Sequence, residues 1–256
     1  MNSLLSYRLR KLQRGVLAKV VMLSPRLAPV LKTETTLARL DFPADLPSSD
    51  LLVFLPGIGD LAEDFVRSGF IADLRRHGIS ADAVAIDAHY GYYASRAIHT
   101  RIAEDVIAAA QDAGYERIWL TGISLGGFGA TSFAALHSSH IAGLLLLAPY
   151  LGTGGLVNEI ASAGGIRNWE PGDIREDDYM RAVWAWLKNA HASPAESLPI
   201  YLGYGESDMF ARANSLLADV LPDEHVHSIP GGHDWRTWKK LWQQMLPTYK
   251  ATQGRF

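Results

Sequence analysis

Short, almost wholly apolar runs alternate along most of the chain with segments whose apolar residues recur every three or four positions. The runs at 51–55, 83–86, 117–121, 141–147, 200–204 and 226–229 are too short for buried helices and read as strands covered on both faces. Between them, 62–77, 95–113, 125–137, 211–220 and 234–246 read as helices, each with Gly, Pro or Asn nearby to end it. A Thr-rich stretch at 35–42 predicts an edge strand. This alternation predicts an α/β domain, a mostly parallel sheet with helices on both faces. No internal repeat or low-complexity tract interrupts it.

Two segments depart from the rhythm. Residues 3–23 place Leu5, Leu9, Leu12, Val16, Val20 and Leu23 on one face at 100° per residue, with Arg10, Lys11 and Arg14 opposite, which predicts an amphipathic helix stopped by Pro25. Its apolar stripe needs a cover, and two fit: the main domain, or the interface of a membrane. Residues 150–199 are far too many for an ordinary strand-to-helix connection. Their Gly-rich opening (Gly152, Gly154, Gly155) and the apolar helix around 183–187 predict a small helical cap insertion over the carboxyl ends of the strands, where open α/β sheets bind ligands.

Composition narrows the classes. With 256 residues, 48% of them hydrophobic, the chain is long enough for one large domain over 41–256, preceded by the helix and lead-in at 1–40. There is no cysteine, so disulfides, thiolate metal sites and a Cys nucleophile are excluded. Eight Lys and Arg against one Glu give residues 1–40 a charge of +7, which leaves −10 for the remainder of a total of −3. A basic end of this kind is either a solvated face or an arm for an anionic membrane or acidic partner. No apolar run is long enough to span a bilayer, and Lys19 interrupts the segment that would resemble a signal peptide. The expectation is a cytoplasmic protein in which residues 3–23 are the part that would touch the inner face of a membrane.

The chemistry concentrates in three loops. The strand Ile118-Trp119-Leu120-Thr121 runs into Gly122-Ile123-Ser124-Leu125-Gly126-Gly127 and then a helical pattern, the G-x-S-x-G elbow in the context it requires. Ser124 there is the candidate nucleophile. A serine hydroxyl is weak at neutral pH and needs a base, a group to orient the base, and donors for the oxyanion. Gly231-Gly232-His233-Asp234 follows the last strand and supplies His233 as base. Surface or core roles suffice for His137, His140, His191, His225 and His227. Asp208, in the loop after the penultimate strand, is the expected orienting acid, with Glu206 as its competitor; Asp234 sits too close in sequence to His233. Leu55-Pro56-Gly57-Ile58-Gly59-Asp60 is the expected oxyanion loop, so the donors are Leu125 N–H with Ile58 N–H, or Gly57 N–H as second choice. A phosphate-binding reading of Gly57-x-Gly59 fails because no third glycine or Lys-Ser/Thr follows in register. Nucleic acid is not expected as a partner.

The order of Pro-Gly loop, elbow, Asp loop and Gly-His loop resembles the α/β-hydrolase superfamily over residues 50–247. Ser124-Leu-Gly-Gly-Phe-Gly and Gly231-Gly-His233-Asp-Trp235 are also similar to esterase D-type carboxylesterases, although Pro56 stands where many of those carry His. The resemblance implies the α/β-hydrolase fold and a serine esterase acting on a small acyl ester or thioester without cofactor or metal. It also implies that the Ala148-Pro149-Tyr150 corner, sometimes the seat of the acid, offers none here, which favours Asp208. An acyltransferase using the same triad, and a non-catalytic protein retaining the fold, are the alternatives. His89 and Tyr90, opening on the same sheet end, and Trp235 beside His233 are the candidate substrate contacts. Trp184, Trp186, Trp238 and Trp242 read chiefly as core.

Overall fold

Residues along each central strand alternate between two apolar layers, and this decides the architecture. In the computed structural model, which describes residues 3–23, 33, 36–190 and 198–253, the strands are β1 (Arg39–Phe42), β2 (Asp50–Leu55), β3 (Asp82–Ile86), β4 (Arg117–Ile123), β5 (Gly143–Leu147), β6 (Ile200–Gly205) and β7 (Val226–Ile229). They form a seven-stranded sheet in the order β1-β3-β2-β4-β5-β6-β7. Only β1 runs antiparallel, against β3 with Leu40 opposite Ala85; the remaining pairs are parallel, with Val53 opposite Leu120 and Ile123 opposite Leu147. Pro25, Thr35 and His191 lie outside the described residues.

Leu51, Val53 and Leu55 point to one face with Leu120, Leu144, Leu146 and Leu202, while Leu52 and Phe54 point to the other with Trp119, Leu145, Leu147 and Tyr201. On the second face pack α2 (Ala62–Arg67), α3 (Phe70–Arg76) and the long C-terminal helix, α11 (Trp235–Gln253). Phe70 stacks on Trp242 at 5.2 Å between ring centroids, and the Trp242 indole donates to the Phe70 carbonyl at 3.1 Å. The expected single helix over 62–77 is broken at Gly69, whose φ of 75° is a left-handed conformation that favours glycine. The C-terminal helix continues beyond 246 through Pro247, because Tyr249 is buried edge-on against Trp119 and holds the extra turns in place.

The first face carries α4 (Tyr90–Ala94), α5 (Ile98–Ile102) and α6 (Ala109–Asp112), with a π-helical stretch Ala103–Ala108 joining the last two, and then α7 (Leu125–His137). Arg96, at φ 59°, separates α4 from the helix expected over 95–113. The 150–199 interval holds α8 (Gly154–Ser162) and α9 (Tyr179–Ala190). Ile160, Trp169, Val183, Trp184 and Leu187 of this interval belong to the same apolar layer as α7 and α10 (Ala211–Ala218). Trp184 donates its indole N–H to the Leu151 carbonyl at 2.6 Å, so it is committed to the core.

Of the two covers open to the apolar stripe of the N-terminal helix α1 (Ser3–Leu23), the domain does not supply one for Leu5, Leu9, Leu12 and Val16. The inward face is the basic one. Lys11 Nζ meets Asp60 at 2.5 Å and Asp64 at 2.6 Å, Arg14 meets Asp87 at 2.9 Å, Arg10 pairs with Glu63, and the Tyr7 hydroxyl donates to Asp64 at 2.6 Å. Leu17, Ala18 and Val21 close the same face, while Leu5, Leu9, Leu12 and Val16 are exposed. Among the described residues the ion pairs of Asp60, Glu63, Asp64 and Asp87 are all to this helix, and leaving buried or half-buried carboxylates unpaired costs more than leaving leucines in water.

Candidate active site

The elbow is built by close backbone approach. A Cβ on Gly126 would collide with the Leu55 carbonyl and lie 2.7 Å from that of Pro56, and one on Gly127 would lie 2.7 Å from Pro149 Cβ. Glycine at both positions therefore lets α7 start directly against the ends of β2 and β5. Ser124 sits at the apex with φ 53° and ψ −116°, a strained backbone conformation for a non-glycine residue. Hydrogen bonds hold it there: Ser124 N–H donates to Leu147 O at 3.0 Å, and Ser124 O accepts from Tyr150 N–H at 2.9 Å and Phe128 N–H at 3.1 Å. Ala148, itself at φ 44°, turns the chain so that Pro149 and Tyr150 buttress the elbow. That corner supports the serine through its backbone.

Ser124, His233 and Asp208 form one hydrogen-bonded chain although they come from three loops. His233 Nε2 lies 2.9 Å from Ser124 Oγ, and His233 Nδ1 lies 2.7 Å from Asp208 Oδ2. Asp208 is buried, and its other oxygen accepts the Phe210 N–H at 2.8 Å, so the carboxylate is held at both oxygens. Glu206, the competing acid, is exposed and contributes its backbone N–H to Ile229 O. The Asp and His loops are locked together at Gly205, where a Cβ would collide with the Gly231 carbonyl, and by Ser207 N–H donating to Gly231 O at 2.9 Å. The His233 ring is also clamped edge-to-face by Phe210 at 5.0 Å and Trp238 at 4.9 Å.

The Gly57 loop lies directly beside the serine: a Cβ on Gly57 would be 3.5 Å from Ser124 Cβ and 2.7 Å from Asp60 Oδ2. Asp60 N–H donates to Gly57 O at 3.0 Å and closes a tight turn with Ile58 and Gly59 at its centre. Leu125 is the first residue of α7, where a backbone N–H has no partner within the helix. Asp60 is the anchor of the turn. Besides Lys11 of α1, its Oδ1 accepts the Trp235 indole N–H at 3.0 Å. Burial opposes the charge on Lys11, but Asp60 and Asp64 outweigh it and hold the ammonium above the usual lysine value. Helix α1 thus roofs the loop, and Gly59 would meet Ala18 at 3.4 Å if it carried a Cβ.

The three candidate substrate contacts fare differently. Trp235 is engaged with Asp60, Phe65, Phe70 and Trp238, which makes it a prop of the loop at 57–60. His89 caps α4 by accepting Gly91 N–H on Nδ1 at 3.1 Å and tilts onto Tyr92. Tyr90 is half-buried and close enough to Tyr150 to add, after burial, to the raised pKa of that phenol. Tyr150 meets Phe128 at 6.0 Å and Phe210 at 5.4 Å, and its hydroxyl points to Met180 Sδ at 3.6 Å. Sequence reasoning passed over Tyr150 and Lys11. The first has no motif of its own, whereas Tyr7, Lys11, Arg14, Ala18 and Val21 do share a helical spacing that marks a buried face. Among the described residues no group of His, Asp and Glu is arranged to hold a metal ion, and no helix is long and apolar enough to cross a membrane.

A family model described as the alpha/beta hydrolase family matches residues 52–255. No curated protein matches the sequence. Among solved structures, Est1E from Butyrivibrio proteoclasticus is similar with a TM-score of 0.61 and 18% identity, covering 87% of this chain and 97% of its own. A monoacylglycerol lipase of Paleococcus ferrophilus gives 0.53 and 17%, over 84% of this chain and 100% of its own. An S-formylglutathione hydrolase from Agrobacterium tumefaciens gives 0.55 and 13%, over 87% and 92%.

Proposed function

The chain belongs to the alpha/beta hydrolase family, and on that premise we propose that it is a serine hydrolase of carboxylesterase type that cleaves a small carboxylic ester or thioester through an acyl-enzyme on Ser124. The observation that carries the proposal is the unbroken contact chain from Ser124 Oγ through both His233 nitrogens to Asp208. His233 takes the Ser124 proton as Oγ attacks the acyl carbon, and returns it to the leaving alcohol or thiol. Asp208 holds the Nδ1–H tautomer and stabilises the imidazolium. The carbonyl oxygen becomes an oxyanion beside the N–H groups of Leu125 and Ile58. Water, activated by His233, then attacks the acyl-enzyme and releases the acid. Both ester and thioester are included because the structural neighbours include a monoacylglycerol lipase and an S-formylglutathione hydrolase.

The test is release of p-nitrophenol from short acyl esters together with labelling by a fluorophosphonate. Both are expected in the wild type and lost in Ser124→Ala. Labelling that survives in that variant would refute the assignment.

A further inference from the structure

We infer that the outward face of α1 is a docking surface for an anionic lipid membrane. The helix is 21 residues long, about 30 Å at 1.5 Å per residue, and its two faces have exchanged the roles that amphipathic helices on globular domains usually have. Tyr7, Arg10, Lys11 and Arg14 are spent on Asp60, Glu63, Asp64 and Asp87. These contacts anchor the helix along its first half, and Leu17, Ala18 and Val21 bury the second half. What remains outside is a continuous stripe, Leu5, Leu9, Leu12 and Val16, at spacings of four, three and four, with Leu12 66% exposed and Leu23 86% exposed at the end. Single exposed leucines are ordinary, but a rigidly held stripe of them marks an interaction surface.

Charge identifies the occupant. Arg8 and Lys19 lie along one edge of the stripe, both exposed, and neither is ion-paired with another described residue. The helix contains no Asp or Glu. If a second copy used the same face, α1 would lie on α1, and each cationic rim would find only cations across the interface. A bilayer surface bearing anionic headgroups complements both parts at once: acyl chains take the leucine stripe, and phosphate or carboxylate groups take Arg8 and Lys19. The ion pairs to the domain are partly buried and screened little by salt, so the stripe stays presented under conditions where the attraction to headgroups weakens.

Co-sedimentation of the full chain with phosphatidylcholine vesicles, with and without about 30% phosphatidylserine, tests this. Binding is expected to the anionic vesicles, weaker by at least about tenfold without phosphatidylserine, and reduced severalfold when salt rises from about 0.1 to 0.5 M. Leu5→Gln, Leu9→Gln, Leu12→Gln and Val16→Gln combined should lower binding by at least about tenfold while leaving the melting temperature and ester turnover as they were, since these side chains are on the exposed face of the helix. Arg8→Gln and Lys19→Gln should each cost about fivefold. Ser124→Ala should bind vesicles like the wild type, which separates this surface from the catalytic reading. Failure to sediment with anionic vesicles, or equal sedimentation of the wild type and the four-residue variant, would overturn the inference. So would a concentration-dependent dimer, dispersed by the same variant, in a chain that ignores vesicles.

Discussion

Replacing Lys11 by Met keeps the aliphatic stem against the domain and removes only the ammonium, which makes it a direct probe of whether α1 holds the proposed oxyanion loop. In the wild type the ammonium bridges Asp60 and Asp64, whose side chains are 11% and 6% exposed. Without it Asp60 keeps the Trp235 indole, and Asp64 keeps the Tyr7 hydroxyl and the Leu61 N–H. A hydrogen bond to a charged group contributes about 1.5–3 kcal/mol, so two lost contacts set an upper range of about 3–6 kcal/mol. The retained donors bring the expected loss to the lower end, about 3 kcal/mol. At about 2–4 °C per kcal/mol for a chain of this size, thermal unfolding followed by circular dichroism should show a Tm lower by about 6–12 °C. Because Asp60 closes the turn that carries Ile58, kcat on a short p-nitrophenyl ester should fall by about 10- to 100-fold, less than the full loss of an oxyanion donor. Fluorophosphonate labelling should slow in the same ratio. Adding Asp60→Asn should recover part of the Tm, since it removes the orphaned charge. A Lys11→Met protein with Tm within about 2 °C of the wild type and unchanged kcat would refute the idea that α1 sets this loop.

Asp208→Asn should lower kcat by about three to four orders of magnitude with little change in KM, whereas Glu206→Gln should stay within about twofold of the wild type; equal effects in steady-state assays would mean that the acid is misassigned. Tyr150, in ring contact with Phe128 and Phe210 beside the elbow, is placed to face the acyl group, so Tyr150→Ala should shift the preferred acyl group of an ester series toward larger chains; an unchanged preference would mean that Tyr150 does not face it. The third concerns pH. Burial, helped by the nearby His137, lowers the His99 pKa to about 4, and its Nε2 lies 2.9 Å from Ser132 Oγ. The unfolded chain takes this proton near 6.5, so the stability contributed by neutral His99 is complete above that value and is lost as pH falls toward 4. Urea unfolding at pH 7 and 4.5 should show His99→Gln losing about 2 kcal/mol less than the wild type across that interval, and parallel losses would exclude the effect.

The sheet and the candidate triad were legible because each rests on a local signal. Strand runs such as Leu51 to Leu55 are apolar at every position because both faces are covered, and the elbow declares itself through glycines that no side chain can replace. Asp208 could be preferred because it lies in the loop after the penultimate strand and Ala148-Pro149-Tyr150 offers no acid, whereas its separation from Glu206 came only with the structure, in which Glu206 is exposed. What escaped were features set by partners distant in sequence. Gly69 and Arg96 break helices whose apolar periodicity reads straight through them, since the breaks answer to the packing of Lys239 on Gly69 O and of α4 against the sheet.

Helix α1 shows the limit most clearly. Two stripes run along it, one of leucines and one of Tyr7, Lys11, Arg14, Ala18 and Val21, and hydropathy alone leaves the leucines a choice between the domain and a membrane interface. The decision belongs instead to Asp60, Glu63, Asp64 and Asp87, which gather at and beside the loop at 57–60 only once β2 and β3 have paired. Each carboxylate drawn into that crowded spot is costly without a cation, and a helix bearing three cations on one face supplies them together. The expelled leucines then become available for a surface outside the protein. The same electrostatic demand that steadies the proposed oxyanion loop therefore turns the apolar side of α1 outward, which is why catalysis and membrane docking can be tested separately on a single helix.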